Sequence, residues 1–438
     1  MVWVFHFPPA FAREDTPSIF TEPNCFGSFT FPGKPRPMPG GEPIPGRGPI
    51  PIICTVPTTC GQTVSGTAQL QAALNNAECG CKIVATPGNY GGTITYNKAC
   101  TESSPLMVSA SSPNGVRITG ALNINGTGGI FQGFEITGGV NIAGDYNRVT
   151  RALFAGNGQI DFKEGASFNR IDHNDFVLPA EASDAVYTAI AFYRPRSVAQ
   201  MYNSNRIDSN FFTTNTPTLG GASPGYAIFL CMYGAQDGYQ YLSQFGSART
   251  TIENNLFQDW GRTLMEVKCS DNKFINNTAI NTGRILNRHG GRNLYQNNIF
   301  DNMVRGLNVR EFDNQIIGNY FNKAKAQLYR GARKYPDGNC WQPRAWMPAG
   351  YQAPQGPPAV RTILDKNRGG LDIGIQDGSG CEVPTLNTQI RCHEGPINKI
   401  PGAHVGTTGP TSTSGCFTMP KRLTRDDVGR GAPEAGCN

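Results

Sequence analysis

Between Asn169 and Phe321, apolar residues recur in a fixed phrase: asparagine, a gap, an apolar residue, two more positions, asparagine, a gap, an apolar residue. It reads NRIDHNDF from Asn169, NRIDSNFF from Asn205, NKFINNTA from Asn272, NLYQNNIF from Asn293 and NQIIGNYF from Asn314, and TTIENNLF from Thr250 with Thr in the first place. The second asparagines (Asn174, Asn210, Asn255, Asn277, Asn298 and Asn319) are separated by 36, 45, 22, 21 and 21 residues. A period near 21 predicts one turn of a coil per copy, made of short parallel strands whose inward apolar residues stack on counterparts roughly 4.8 Å away. Each turn asparagine is then buried, its amide bonded to the next asparagine and to backbone groups left unpaired by the bend. The pattern predicts an all-β chain, a single-stranded right-handed parallel β-helix.

Upstream, KIVATPGNY, GTITYN, LMVSAS, VRITG, LNING and GIFQGFEITG read as further short strands broken by Gly or Asn. TAQLQAALNNA from Thr67 has helical periodicity, with Leu70, Ala73 and Leu74 on one face, and predicts a helix that caps the first rung. The long steps place insertions at roughly 177–204 and 213–249, rich in aromatics such as Tyr187, Tyr193, Tyr226, Phe229 and Tyr233, where a coil builds binding walls. Three stretches follow: a Pro/Gly-rich arm at 1–60, the coil at 61–334, and an irregular Cys-, Pro- and Gly-rich cap at 335–438.

Composition adds compartment and partner. A hydrophobic content of 38%, with 53 Gly and 32 Pro, suits a thin-cored, turn-rich β body, and no apolar run approaches the ~18 residues of a membrane span. The 13 cysteines gather towards the two ends, with only Cys231 and Cys269 between, and show no paired CxxC spacing for zinc. They predict disulfides stapling loop-rich ends in an oxidising, extracellular compartment, with at least one thiol outside intrachain pairing. Ala10-Phe11-Ala12, after MVWVFHFPP, has the small-x-small form of a signal-peptidase site and is expected to be the tail of a secretory signal.

The net charge of +6 is concentrated: Arg262, Lys268, Lys273, Arg284, Arg288, Arg292, Arg305 and Arg310 face only Glu266, Asp271 and Asp301 in that stretch. Such a field favours a polyanion; without an RNP, helix-turn-helix or zinc-finger pattern, the expected partner is an acidic polysaccharide and not nucleic acid. Lys268 lies nine residues before Asn277, Arg288 ten before Asn298 and Arg310 nine before Asn319, so the three form one column on successive rungs. Stacked like charges cost free energy and point to a bound anion, and Glu266 shares the face of Lys268 by strand alternation. A lysine beside an arginine has a lowered pKa, which suits β-elimination in a uronate polymer. The base takes the C5 proton, cations stabilise charge developing on the carboxylate, and an acid helps the C4 oxygen leave. Lys268 is the candidate base and Arg288 the charge stabiliser, with His289 or a loop tyrosine as acid. Glu266, His289, Arg292, Asn308, Arg310 and Tyr233 are the candidates for substrate binding. An exposed Lys268–Glu266 ion pair is the reading of the same residues without chemistry.

EVKCSDNKFINNT followed by ILNRHGG resembles the signature of polysaccharide lyase family 6, the alginate lyases and chondroitinase B, and a looser likeness covers most of 67–322. The resemblance implies a parallel β-helix that cleaves acidic polysaccharides by β-elimination, with the catalytic base at Lys268 and the catalytic arginine at Arg288. GLNVREF resembles a later Gly-Ile-Arg segment, with Asn308 in the arginine's place and Arg310 two residues on. Family members with a calcium site carry glutamates seven and five residues before the lysine, where this chain has Gly261 and Thr263. Glu266 alone does not supply six or more oxygens, so no metal or other cofactor is expected, and Arg288 and its neighbours neutralise the charge. The expected protein is a secreted, monomeric lyase with alginate as first candidate substrate. A β-helical glycoside hydrolase and a non-catalytic acidic-glycan binding or adhesion protein remain as alternatives. Asp172, Asp208 and Glu253 recur at one repeat position with Arg170 and Arg206 two residues before, and are expected to form surface ion pairs.

Overall fold

The computed structural model describes residues 60–113, 115–178, 188–193, 201–214, 225–232, 249–261, 263–329, 359–375, 388–399, 405–407 and 415–432. Parallel strands stack in register throughout. A 14-stranded sheet runs from Gly61–Val64 to Val405–Thr407, and a 22-stranded sheet traces two further faces joined through the long strands Tyr320–Tyr329 and Asn367–Ile375. One coil comprises Thr251–Glu253, Leu256–Gln258 and Thr263–Val267, and Lys273–Ile275 opens the next, with Thr251 opposite Lys273. This is the parallel β-helix that the period predicts.

In-register stacking puts equal positions of the phrase one above another. Phe154, Phe176, Phe212 and Phe257 therefore stack inside with ring centroids 4.5, 4.6 and 4.7 Å apart. Asparagine ladders hold the turns. From Asn174 to Asn319, each backbone N–H donates to the side-chain oxygen of the ladder asparagine one rung on, at 2.8–3.0 Å, and the ladder reaches Asn367 beyond the repeated phrase. The preceding residue is left-handed on every rung (His173, Ser209, Asn254, Asn276, Asn297 and Gly318), which favours Asn or Gly there. His173 is thus a turn residue, its Nδ1 2.8 Å from Asp172.

The helix forms at Gly66–Asn76 and buries Leu70, Ala73 and Leu74. Its Gln71 donates to the carbonyl of Thr95 and accepts from the Thr95 N–H, closing the exposed edge of the first rung. Three disulfides (Cys60–Cys81, Cys79–Cys100 and Cys392–Cys416) staple the ends as expected, whereas Cys231–Cys269 joins two central coils.

Three expectations change. Coil pairing does not stop at 334, because Ile363–Asp365, Thr388–Ile390 and Val405–Thr407 extend the 14-stranded sheet. Residues 415–432 then run back along the outside: Arg422 pairs with Asp301, Arg425 and Arg430 with Asp175, and Leu423 and Val428 pack on Leu256. The ion pairs Arg148–Asp172 (2.6 Å) and Arg170–Asp208 (2.8 Å) exist but are buried, each arginine reaching the acid one rung on, and only Arg206–Glu253 is partly exposed. Of the insertions, Thr188–Tyr193 and Tyr226–Met232 are regular coil strands; Tyr187 and Tyr233 lie outside the described residues.

Candidate active site

The strands Thr263–Val267, Arg284–Asn287 and Gly306–Val309 lie side by side on one face, with Val267 opposite Asn287 and Asn287 opposite Val309. The next residue of each is Lys268, Arg288 and Arg310, so the column expected from the repeat is present. Backbone bonds fix its pitch: the Arg288 N–H donates to Val267 O at 3.0 Å and the Arg310 N–H to Asn287 O at 3.1 Å. Two residues before the column runs a parallel row, Glu266, Leu286 and Asn308.

Glu266 ties row to column. Its Oε1 lies 3.5 Å from Lys268 Nζ and 3.3 Å from Arg288 Nη1. The exposed ion pair of the alternative reading is replaced by a buried one, since Glu266 and Lys268 are only 2% and 3% exposed. Burial comes from the preceding rungs, where Ala191, Phe229 and Met232 form an outward apolar cluster with Tyr226, and Lys268 Nζ sits 4.9 Å from the Phe229 ring centroid. This desolvation is the main reason that the Lys268 pKa is lowered; Glu266 opposes it and Arg288 adds to it. The neighbouring arginine, invoked from sequence as the cause, comes second to burial.

His289 lies beneath the column, 1% exposed, and burial, followed by Arg288, Lys268 and Arg310, holds its pKa well below the ordinary value. It is a neutral, sealed imidazole, which removes it as the proton donor to a substrate. Above about pH 6.5 the folded and unfolded chains are alike at this site; below it the unfolded chain binds a proton that the folded one refuses. His289→Gln is therefore expected to flatten an acid-side loss of stability of up to roughly 1.4 kcal/mol per pH unit, measured by denaturant unfolding between pH 7 and 5. An unchanged pH slope would contradict this assignment.

Arg310 lies 4.5 Å from the centroid of the Tyr329 ring. Asn308 belongs to the row of Glu266, buried, with Nδ2 donating to Gln327 Oε1 at 2.6 Å. Arg292 does not join the cluster: it sits past the corner, and its Nε and Nη2 both bond Asp271 at 2.7 Å. Sequence reasoning counted Arg284 only in the basic cluster, where its pKa is lowered by burial and then by Arg305, and it missed the Cys231–Cys269 bridge beside Lys268. Cys269 immediately after the candidate base was the available signal.

The family model for chondroitinase B matches residues 64–334, more than half of the chain and including every member of the column. The chain belongs to the chondroitinase B family. No curated protein matches its sequence. Solved structures agree on the fold of this chondroitinase B family member. A PL6 family polysaccharide lyase from Pseudopedobacter saltans superposes with TM-score 0.64 at 15% identity, over 85% of this chain and 100% of that one. A mannuronic acid specific family 6 lyase from human gut microbiota gives 0.56 at 16%, over 79% and 85%. The alginate lyase AlyGC gives 0.57 at 16%, over 84% of this chain and 56% of that one.

Calcium, carried by some members of the chondroitinase B family, does not fit the donors present. Thr263 stands in place of a carboxylate, and Glu266 Oε1 already faces two cations. Among the described residues no group of three or more His, Cys, Asp or Glu is placed to hold a metal ion. No helix among them is long and apolar enough to cross a membrane.

Proposed function

We propose that this protein is a secreted lyase that cleaves a uronate-containing polysaccharide, alginate first, by β-elimination without calcium. The observation that carries the reading is a desolvated lysine of lowered pKa in register with two arginines on an outward face. A uronate seats its carboxylate on the guanidinium of Arg288, which stays about a quarter exposed (24%), and presents C5 to Lys268. Neutral Lys268 takes the C5 proton as Arg288 and Arg310 stabilise the charge spreading onto the carboxylate. The C4–O bond breaks, a C4–C5 double bond forms, and the leaving oxygen takes a proton from solvent or from the Lys268 ammonium. The disulfides support the oxidising compartment.

The deciding test is incubation with alginate, glucuronan, pectate and dermatan sulfate. Rising ultraviolet absorbance of an unsaturated uronate supports elimination; reducing ends without it mean hydrolysis, and binding without either means a glycan-binding protein. EDTA is expected to leave the rate unchanged, and strong inhibition reversed by calcium would overturn the metal-free reading. The pH profile carries a sign. Glu266 raises the Lys268 pKa and Arg288 lowers it, so Glu266→Gln moves the rising limb of kcat to lower pH and Arg288→Gln moves it to higher pH. A limb that stays in place in both variants would remove Lys268 as the titrating base.

A further inference from the structure

The face that carries Lys268 holds a second acid-x-lysine pair at the same coil position. Strand pairing places Asp161 opposite Ala191, Ala191 opposite Phe229 and Phe229 opposite Glu266. Asp161 thus stands three rungs before Glu266 in one row, each with a lysine two residues on; past Ala191 the register shifts by one residue, so that the position of Lys163 leads through Tyr193 to Met232, beside the column of Lys268. The contacts match too: Lys163 Nζ is 3.7 Å from Asp161 Oδ2, and Lys268 Nζ is 3.5 Å from Glu266 Oε1. The rung after each lysine differs. Next to Lys268 stands Arg288, whereas next to Lys163 stands Tyr193, whose ring centroid is 4.6 Å from Lys163 Nζ.

We propose that Asp161, Lys163 and Tyr193 form a distal uronate-binding subsite, three rungs from Lys268 along one face of the coil; this rests on the lyase reading. Lys163 is 37% exposed, so its ammonium can meet a carboxylate from solution, whereas buried Lys268 is arranged for proton transfer. Tyr193 holds the cluster in shape: its hydroxyl donates to Asp161 Oδ2 at 3.3 Å while its ring carries the lysine. Gln159 Nε2 also reaches Oδ2, at 3.4 Å, so three side chains orient the carboxylate, which can accept from a sugar hydroxyl. A cation, an aromatic ring and an acceptor are the groups that a uronate ring needs. Three rungs span roughly 14 Å, so a polymer lying along the coil axis reaches both lysines and a short oligomer seated at Lys268 does not.

The test is equilibrium binding of oligouronates of increasing length, by calorimetry, in the inactive Lys268→Ala protein with and without Lys163→Ala. Affinity is expected to step up once the oligomer spans the interval. Lys163→Ala removes that step, about tenfold, the scale of one charge-assisted contact; Lys163→Arg keeps it, and high salt shrinks it. A step that survives Lys163→Ala, or a loss equal at all lengths, overturns the proposal. Where Lys163→Ala is misfolded by circular dichroism, Lys163→Gln and Tyr193→Leu take its place under the same criteria. Failure of the lyase reading shows separately, as an unaltered parent protein that forms no unsaturated product from any polymer while the binding step still decides the subsite.

Discussion

Lys268→Ala is expected to lower kcat by about 10³, in the middle of the range for loss of a positioned general base. No neighbour can replace it. Arg288 and Arg310 offer guanidinium groups, which do not act as bases, and His289 is sealed beneath the column. Lys268→Arg is expected to fail nearly as badly, because a guanidinium keeps the charge and cannot accept the proton. The fold should survive, since Glu266 retains Arg288 at 3.3 Å when the ammonium is gone. The measurement is therefore a split: the rate of product formation collapses while thermal stability and uronate binding largely remain. Full activity of Lys268→Ala would remove the base assignment, and equal loss of binding and rate would recast Lys268 as a binding cation.

The column was legible in the sequence because a period of 21 fixes the phase of every residue near the asparagines. Arg292, only four residues past Arg288, shows how quickly that phase is lost: the chain turns a corner between them, and Arg292 meets Asp271 instead. Burial was not legible. Phe229 and Ala191 belong to stretches read as insertions, yet they are coil strands in register with Glu266, and they bury the Lys268–Glu266 pair that the alternative reading left exposed. The coil beyond 334 escaped for a related reason. The ladder passes from Asn319 to Asn367, a 48-residue step with no intact phrase to announce it. What the sequence did not show at Glu266 is its setting, where one carboxylate oxygen faces two cations.

Asn298→Ala is expected to be the most damaging single change to the coil, destabilising it by about 3–5 kcal/mol. Asn298 Oδ1 accepts the backbone N–H of Asn277 at 2.8 Å and its side-chain Nδ2 at 3.1 Å. Its own Nδ2 donates to Phe274 O at 2.8 Å and to Asn319 Oδ1 at 2.9 Å. Alanine strips the Asn277 N–H and the Phe274 carbonyl of these bonds, at about 1–3 kcal/mol each before relaxation, whereas Asn277 Nδ2 keeps the carbonyls of Ile252 and Ile275 and Asn319 Oδ1 keeps the backbone N–H of residue 298. Asn298→Asp keeps the acceptor but loses both donors and sets a charge against Asn319 Oδ1, so it offers no rescue. In a stacked coil the damage falls first on neighbouring rungs, those that carry Lys268, Arg288 and Arg310. Activity is therefore expected to be lost at lower denaturant than the bulk of the β signal, a separation that the parent protein should not show. A loss below about 1 kcal/mol, with activity and structure lost together, would mean that strand pairing alone sets the pitch of the column.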